Sequence, residues 1–85
     1  MQYNVDVELD LTGLESPEPM LRTKTALDAL SSGQVVLVKT TASGSEQNIR
    51  NLITNHPVTL ISFKKENGIF HFLIEKKSTS AISPD

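Results

Sequence analysis

The sequence predicts an α+β fold: a two-layer α/β sandwich of order β-α-β-α-β-β, with a mixed four-stranded sheet covered on one face by two helices. Three observations predict it. A period-two segment near the start gives way, across a Gly- and Pro-containing run, to a segment of helical period. A β-branched run, Val35-Val36-Leu37-Val38, precedes a second and shorter helical segment. Two last strand-like runs flank Asn67-Gly68, a strong signal for a type I′ hairpin. Two helices on one face let every element bury its apolar side. The first connection should be a right-handed crossover between parallel strands, and the last two strands an antiparallel hairpin.

In the first strand Tyr3, Val5, Val7, Leu9 and Leu11 alternate with Asn4, Asp6, Glu8, Asp10 and Thr12, as expected of a strand with one buried face. Gly13 breaks the pattern. Ser16 reads as the N-cap of the first helix, with Pro17 at its first position, where a missing N–H costs nothing. Glu18 adds charge that the helix dipole favours, and Pro19 still lies in the first turn, which needs no donors. Met20, Thr23, Leu27 and Leu30, with Ala26 beside them, form the buried stripe. Ser31, Ser32 and Gly33 end the helix, with Gly33 as a left-handed cap.

Val35 to Val38 reads as a central strand. Thr40 to Ser45 is a polar connection, in which Ser43 and Glu46 have the spacing of a capping box. Ile49, Leu52 and Ile53 mark the second helix, which ends near Asn55 before Pro57. Val58 to Lys65 is the third strand, with Ile61 and Phe63 on one face and Val58 and Leu60 on the other. Ile69 to Glu75 returns, with Phe70, Phe72 and Ile74 on one face and Ile69, His71 and Leu73 on the other. If odd positions of the first strand face the helices, Asp6, Glu8 and Asp10 face outward. The open face would then also show some of Val36, Val38, Leu60, Ile69 and Leu73. Residues 1–76 make one domain, and the Ser-rich stretch 77–85 reads as a disordered tail.

The composition narrows the function. With 85 residues there is room for one domain, and a chain of this size buries only about 60% of its unfolded surface. Eight Lys/Arg against ten Asp/Glu give a net charge of −2, which offers no global attraction to nucleic acid or anionic membranes. No run approaches the ~20 apolar residues that span a membrane, and the acidic start does not resemble a signal peptide, so a cytoplasmic location is expected. There is no cysteine. As written, the chain therefore has no disulfide and no thiolate nucleophile. His56 and His71, without cysteine or an acidic cluster, do not make a metal site, and no cofactor is expected.

The run Gly13-Leu14-Glu15-Ser16-Pro17-Glu18-Pro19, placed between strand and helix, resembles the Gly-Leu-x-Cys-Pro-x-Pro signature of the TusA/SirA/YedF family of small sulfur carriers. Leu9-Asp10 is similar to the Leu-Asp that leads that motif, and Phe72 to Lys76 to the family's last strand. The resemblance covers roughly Val7 to Lys76. It implies that position 16 is where the family keeps the cysteine that accepts sulfur as a persulfide. A helix N-terminus lowers a thiol's pKa, and serine cannot replace that thiolate. Ser16 also has no evident base to activate it. A second departure lies in Ala42-Ser43-Gly44 and Asn48-Ile49-Arg50. There the family has an acidic residue with Pro after its second strand, and Asp-Ile-Pro in its second helix.

Three functions follow as expectations. The first is a non-catalytic protein-interaction module on this fold, binding through Ser16, Pro17, Glu18, Pro19 and Arg22, or through the open sheet face, which could also form a weak homodimer. The alternative is a sulfur carrier (sulfurtransferase, tRNA thiolation or sulfur trafficking) whose cysteine has been exchanged for serine. Its partner would be a cysteine desulfurase or a sulfur-relay protein. The chain would be catalytic only if position 16 is natively cysteine. The third is an RNA-binding domain, since the fold resembles the C-terminal domain of translation initiation factor 3. It would use Arg22, Lys24, Arg50, Lys64, Lys65, Lys76 and Lys77 with aromatic stacking from Tyr3, Phe63, Phe70 or Phe72. A solvated charged rim is the simpler account of those residues. Glu15 and Glu18 likewise read as first-turn charges, which oppose an anion, rather than as a catalytic carboxylate pair.

Overall fold

A computed structural model describes residues 4–41 and 45–77. Its elements are β1 (Val7–Leu11), α1 (Glu18–Ala29), β2 (Val35–Thr40), α2 (Ser45–Thr54), β3 (Val58–Glu66) and β4 (Ile69–Lys76). The sheet runs β1-β2-β4-β3, with β1 parallel to β2 and both other pairings antiparallel. This is the predicted mixed four-stranded sheet. β2 and β4 are central, and β1 and β3 are the edges.

One layer of side chains joins helices to sheet. Val36 and Val38 of β2 and Phe72 and Ile74 of β4 meet Leu27 of α1 and Ile49 of α2, all fully buried. Cross-strand register explains the alignment: Val36 lies opposite Ile74 and Val38 opposite Phe72. Paired residues share a face, so the helix-facing side of β4 fixes which side of β2 is buried.

That register narrows the expected open face to two of the five residues named for it. Val36 and Val38 point to the helices, and Leu60 also packs against the core. Val36 to Val38 has no alternation to read, so its parity comes from its partner strands. Ile69 and Leu73 do share the open side, joined by Leu37, which pairs with Leu73. A second correction concerns β3. The ladder shifts between Leu60 and Ser62, leaving Ile61 as an extra residue. A bulge of this kind reverses the alternation beyond it. Phe63 therefore lies on the same side as Leu60, opposite Phe72, and their ring centroids are 5.0 Å apart.

The hairpin forms as expected, with Asn67 at φ 54° and Gly68 at φ 78°, the positive values a type I′ turn needs. Gly33 has the expected positive φ of 84° but is not the helix cap. α1 ends at Ala29 with Leu30 as its extended C-cap. Gly33 serves the following turn, where Gln34 N–H donates to Ser31 O, and its own N–H donates to Lys76 O at 2.8 Å. The Lys76 ammonium reaches back to Leu27 O at 2.7 Å, satisfying a carbonyl at the end of α1. The expected capping box at Ser43 and the expected strand start at Tyr3 lie outside the described residues, as do residues 78–85. Lys77 itself is tied to the fold, its N–H donating to Pro57 O at 2.9 Å. Among the described residues no helix is long and apolar enough to cross a membrane.

Candidate functional site

The site lies where β1 gives way to α1. Leu11 is buried at the strand's end, and Gly13 turns the chain with φ 88°. Its N–H donates to Thr41 Oγ1 at 3.0 Å, fastening the turn to the end of β2. Asp10 accepts from the Thr12 hydroxyl at 2.6 Å and from the Thr12 N–H at 3.2 Å. These bonds hold the Asp10 carboxyl below the usual carboxylate range.

The next turn, Glu15 to Glu18, contains a cis Ser16–Pro17 peptide and is closed by Glu18 N–H donating to Glu15 O at 2.9 Å. The helix then begins at Glu18, with Pro17 as its N-cap and no capping side-chain bond. This corrects the expected N-cap at Ser16. The turn takes one residue more than the sequence suggests, which leaves the Ser16 hydroxyl too far back to serve the helix. That hydroxyl instead accepts a hydrogen bond from the Asn48 side-chain amide of α2 at 3.0 Å.

Few backbone donors remain for a ligand. Pro17 and Pro19 have no N–H, and the Glu18 N–H is used within the turn, so Met20 holds the remaining donor of the first three helical positions. Glu15 and Glu18 are exposed beside it. Arg22 is exposed and pairs with Glu18 at 3.4 Å, which offsets part of that charge. The helix start is consequently a poor cradle for a free anion.

Of the five residues expected to form a binding surface, Ser16, Pro17, Glu18 and Arg22 are exposed and neighbouring. Pro19 is buried, and its carbonyl accepts from the Thr23 hydroxyl at 2.7 Å. The residue missing from that set is Asn48. Its signal was its place in Asn48-Ile49-Arg50, where the resemblance aligned the family's Asp-Ile-Pro. Ile49 is buried in the core and fixes the rotation of α2, so Asn48 faces the α1 start.

The remaining candidates resolve structurally. His56 Nδ1 lies 2.9 Å from Leu52 O, and Nε2 lies 3.5 Å from Asp28, so this ring ties α2 to α1. Among the described residues no group of His and acidic side chains could hold a metal ion. Lys24, Lys39, Arg50 and Lys64 each sit beside a carboxylate. Phe63 and Phe70 pack against the core, with Arg50 lying 4.6 Å over the Phe63 ring. The three phenylalanine rings thus sit on the covered side of the sheet, which leaves no stacking platform for RNA among them, while Tyr3 lies outside the described residues.

The TusA profile, described as "Sulfurtransferase TusA", matches residues 7–76. The chain belongs to the TusA family. The match takes in every strand and helix, including the Gly13–Pro19 turn. The sulfur carrier protein TusA of Allochromatium vinosum is 45% identical over 71 residues, covering 84% of this chain and 93% of that protein. The putative sulfur carrier protein YrkI of Bacillus subtilis is 34% identical, covering 84% and 95% respectively. The crystal structure of a SirA-like protein from Desulfitobacterium hafniense superposes with a TM-score of 0.72 at 24% identity, over 85% of this chain and 99% of that one. That likeness bears on the fold and agrees with the two-layer TusA architecture described above.

Proposed function

We propose that this TusA-family chain works in sulfur relay between proteins, in the manner of a sulfur carrier, with position 16 as the sulfur-bearing position of the frame. The observation that carries the reading is the Asn48 amide aimed at an exposed side chain at the α1 start. A thiol at that position would receive the same N–H donor, and hydrogen bonding to an ionised group favours its charged form. Serine keeps the bond and loses the chemistry, because a hydroxyl is far less acidic and forms no stable persulfide. The neighbouring amide cannot accept a proton, so it does not turn Ser16 into a nucleophile either. A reducing compartment, the cytoplasm, suits such chemistry.

The test is Ser16→Cys incubated with a cysteine desulfurase and L-cysteine. The introduced thiolate attacks the outer sulfur of the desulfurase persulfide, the S–S bond breaks, and the desulfurase cysteine leaves as thiolate. Intact-mass measurement should show one added sulfur on the variant, removable by a thiol reductant, and none on the serine chain. A folded variant that gains no mass refutes the carrier frame.

The absence of cysteine favours a second reading, in which the chain docks in the relay without accepting sulfur. The surface would be Ser16, Pro17, Glu18 and Arg22, with Asn48 behind them. The serine chain should then slow sulfur loading of a thiol-bearing TusA protein by competing for the desulfurase. The weak homodimer through the open sheet face would use Leu37, Ile69 and Leu73.

A further inference from the structure

Away from position 16, the outer side of β1 is incompletely covered. Leu9 forms the floor of an open groove of about 460 Å³ between β1 and α1. The wall is the α1 stripe Leu21, Thr25 and Ala29, with Ala26 beside it and the paired Glu18 and Arg22 at its end toward the α1 start. Thr25, Ala26 and Ala29 are small, so the wall there stands back from the sheet edge. Leu21 is 46% exposed, Val5 43% and Val7 36%, and they are the large apolar residues most exposed among those described.

The backbone of the same edge is open. Asp6 N–H donates to Val35 O at 2.8 Å, so Asp6 turns its peptide groups toward β2. Alternate residues of a strand turn theirs to opposite sides, so Val7 and Leu9 present N–H and C=O to the outer edge, where β1 has no neighbouring strand among the described residues. The side chains of β1 alternate with equal regularity. Leu9 faces the groove, while Glu8 and Asp10 fall on the opposite side of the strand; Asp6, just before it, accepts from the Val35 N–H at 2.8 Å. Among the described residues one cation, Lys39, answers this acidic row, at 2.8 Å from Glu8.

This row decides the occupant. A second copy continuing the sheet by an antiparallel two-fold pairing must set even positions against even positions, because paired residues share a face. The registers that overlap the body of β1, with 8 opposite 8, 8 opposite 10 or 10 opposite 10, place acid opposite acid. We propose that the β1 edge and its groove take an extended segment of a partner protein as a fifth strand, one that alternates apolar residues with Lys or Arg. The apolar side chains enter the groove beneath Leu21, Thr25 and Ala29. The cations meet Glu8 and Asp10. Backbone groups of Val7 and Leu9 complete the ladder, the mode of recognition by strand addition. The proposal does not rest on the sulfur-relay reading.

The test titrates the unsubstituted chain with a short peptide alternating valine and lysine, followed by amide NMR. Shifts confined to β1 and the Leu21–Ala29 stripe, weakening as salt is raised, are the expected result. A peptide alternating valine and glutamate should not bind. Val7→Pro removes one outer N–H at an edge position where proline is tolerated, and should weaken binding about tenfold, in line with the loss of one backbone hydrogen bond. Leu21→Lys, at an exposed helical position, keeps the backbone intact and should also weaken binding, because it replaces an apolar contact over the groove with a charge. The proposal is overturned by the absence of shifts, by equal response to the glutamate peptide, by shifts on the Leu37–Leu73 face, or by self-association through β1 without peptide.

Discussion

Along β4, the side chains of Phe70, Phe72 and Ile74 all reach the core, the last two being fully buried. Along β1 the alternation is just as regular, yet burial fades from Leu11 through Leu9 to an exposed Val7. The two strands differ in neighbours, not in pattern. β4 lies between β2 and β3 with both helices above, whereas β1 has one strand partner and only the flank of α1. Apolar periodicity shows which way side chains point, and the sheet order decides whether anything meets them. In this fold the centre supplies stability, and the β1–α1 corner supplies exposed chemistry.

The largest test of that contrast compares Phe72→Ala with Val7→Ala. Phe72 is fully buried, so its truncation should cost about 3–5 kcal/mol, enough to unfold much of a chain this small. Val7→Ala should stay within about 0.5 kcal/mol, as at other exposed positions. Urea denaturation of both variants measures the difference, and similar losses would erase the distinction between centre and corner. A step down in size is Gly68→Ala at the far end of β4. Space is available for the added methyl, but φ is 78°. The strain of that conformation should cost about 1–2 kcal/mol. A neutral result would mean that the hairpin relaxes its turn without penalty.

Much of the centre was legible in the sequence because local signals agreed there. Asn67-Gly68 specified the turn, and Phe70, Phe72 and Ile74 alternated cleanly on its return strand. Phe63 was misplaced because nothing in Val58–Lys65 marks Ile61 as the extra residue; the bulge is visible only in the pairing with β4. Val36 and Val38 have no assignable face in the sequence for the related reason that a uniformly apolar strand has no parity of its own. At the corner, Gly13, Pro17 and Pro19 located the break between strand and helix. The Ser16–Asn48 bond spans 32 positions and depends on how Ile49 seats α2, so no local reading could reach it.

Ser16→Ala sharpens the corner side of the comparison. A true N-cap substitution costs about 1 kcal/mol. Here the hydroxyl caps nothing and shares one exposed bond with Asn48, so the loss should remain under about 0.5 kcal/mol. The Asn48 side-chain amide resonances should shift in the same variant. A loss of 1 kcal/mol or more would return Ser16 to the capping role.

The smallest effect is electrostatic, and it divides the molecule along the same line. Asp10 is held below the usual carboxylate range first by the Thr12 hydroxyl, and Asp28 first by its hydrogen bond from Lys24 at 3.0 Å. Lys39 is held above the usual lysine value first by its hydrogen bond to Glu8. All three belong to β1, α1 or the β2 strand beside β1. A carboxylate with a depressed folded-state pKa contributes stability above its unfolded value near 3.9, and that contribution is lost as pH falls through the folded value. Lys39 has the opposite sign: its contribution is present below about 10.4 and is lost as pH rises through the raised value. Asp10 and Asp28 are exposed and Lys39 is partly exposed, so solvent screens them and the slopes are shallow. Acid should therefore loosen the β1–α1 corner before the β3–β4 hairpin. Amide exchange between pH 5 and pH 3 should show protection falling first near Thr12 and the end of α1. The double substitution Asp10→Asn with Asp28→Asn should flatten that pH dependence while leaving hairpin protection unchanged. If both regions lost protection together, or the double variant kept the wild-type slope, these carboxylates would not be the origin of the corner's acid sensitivity.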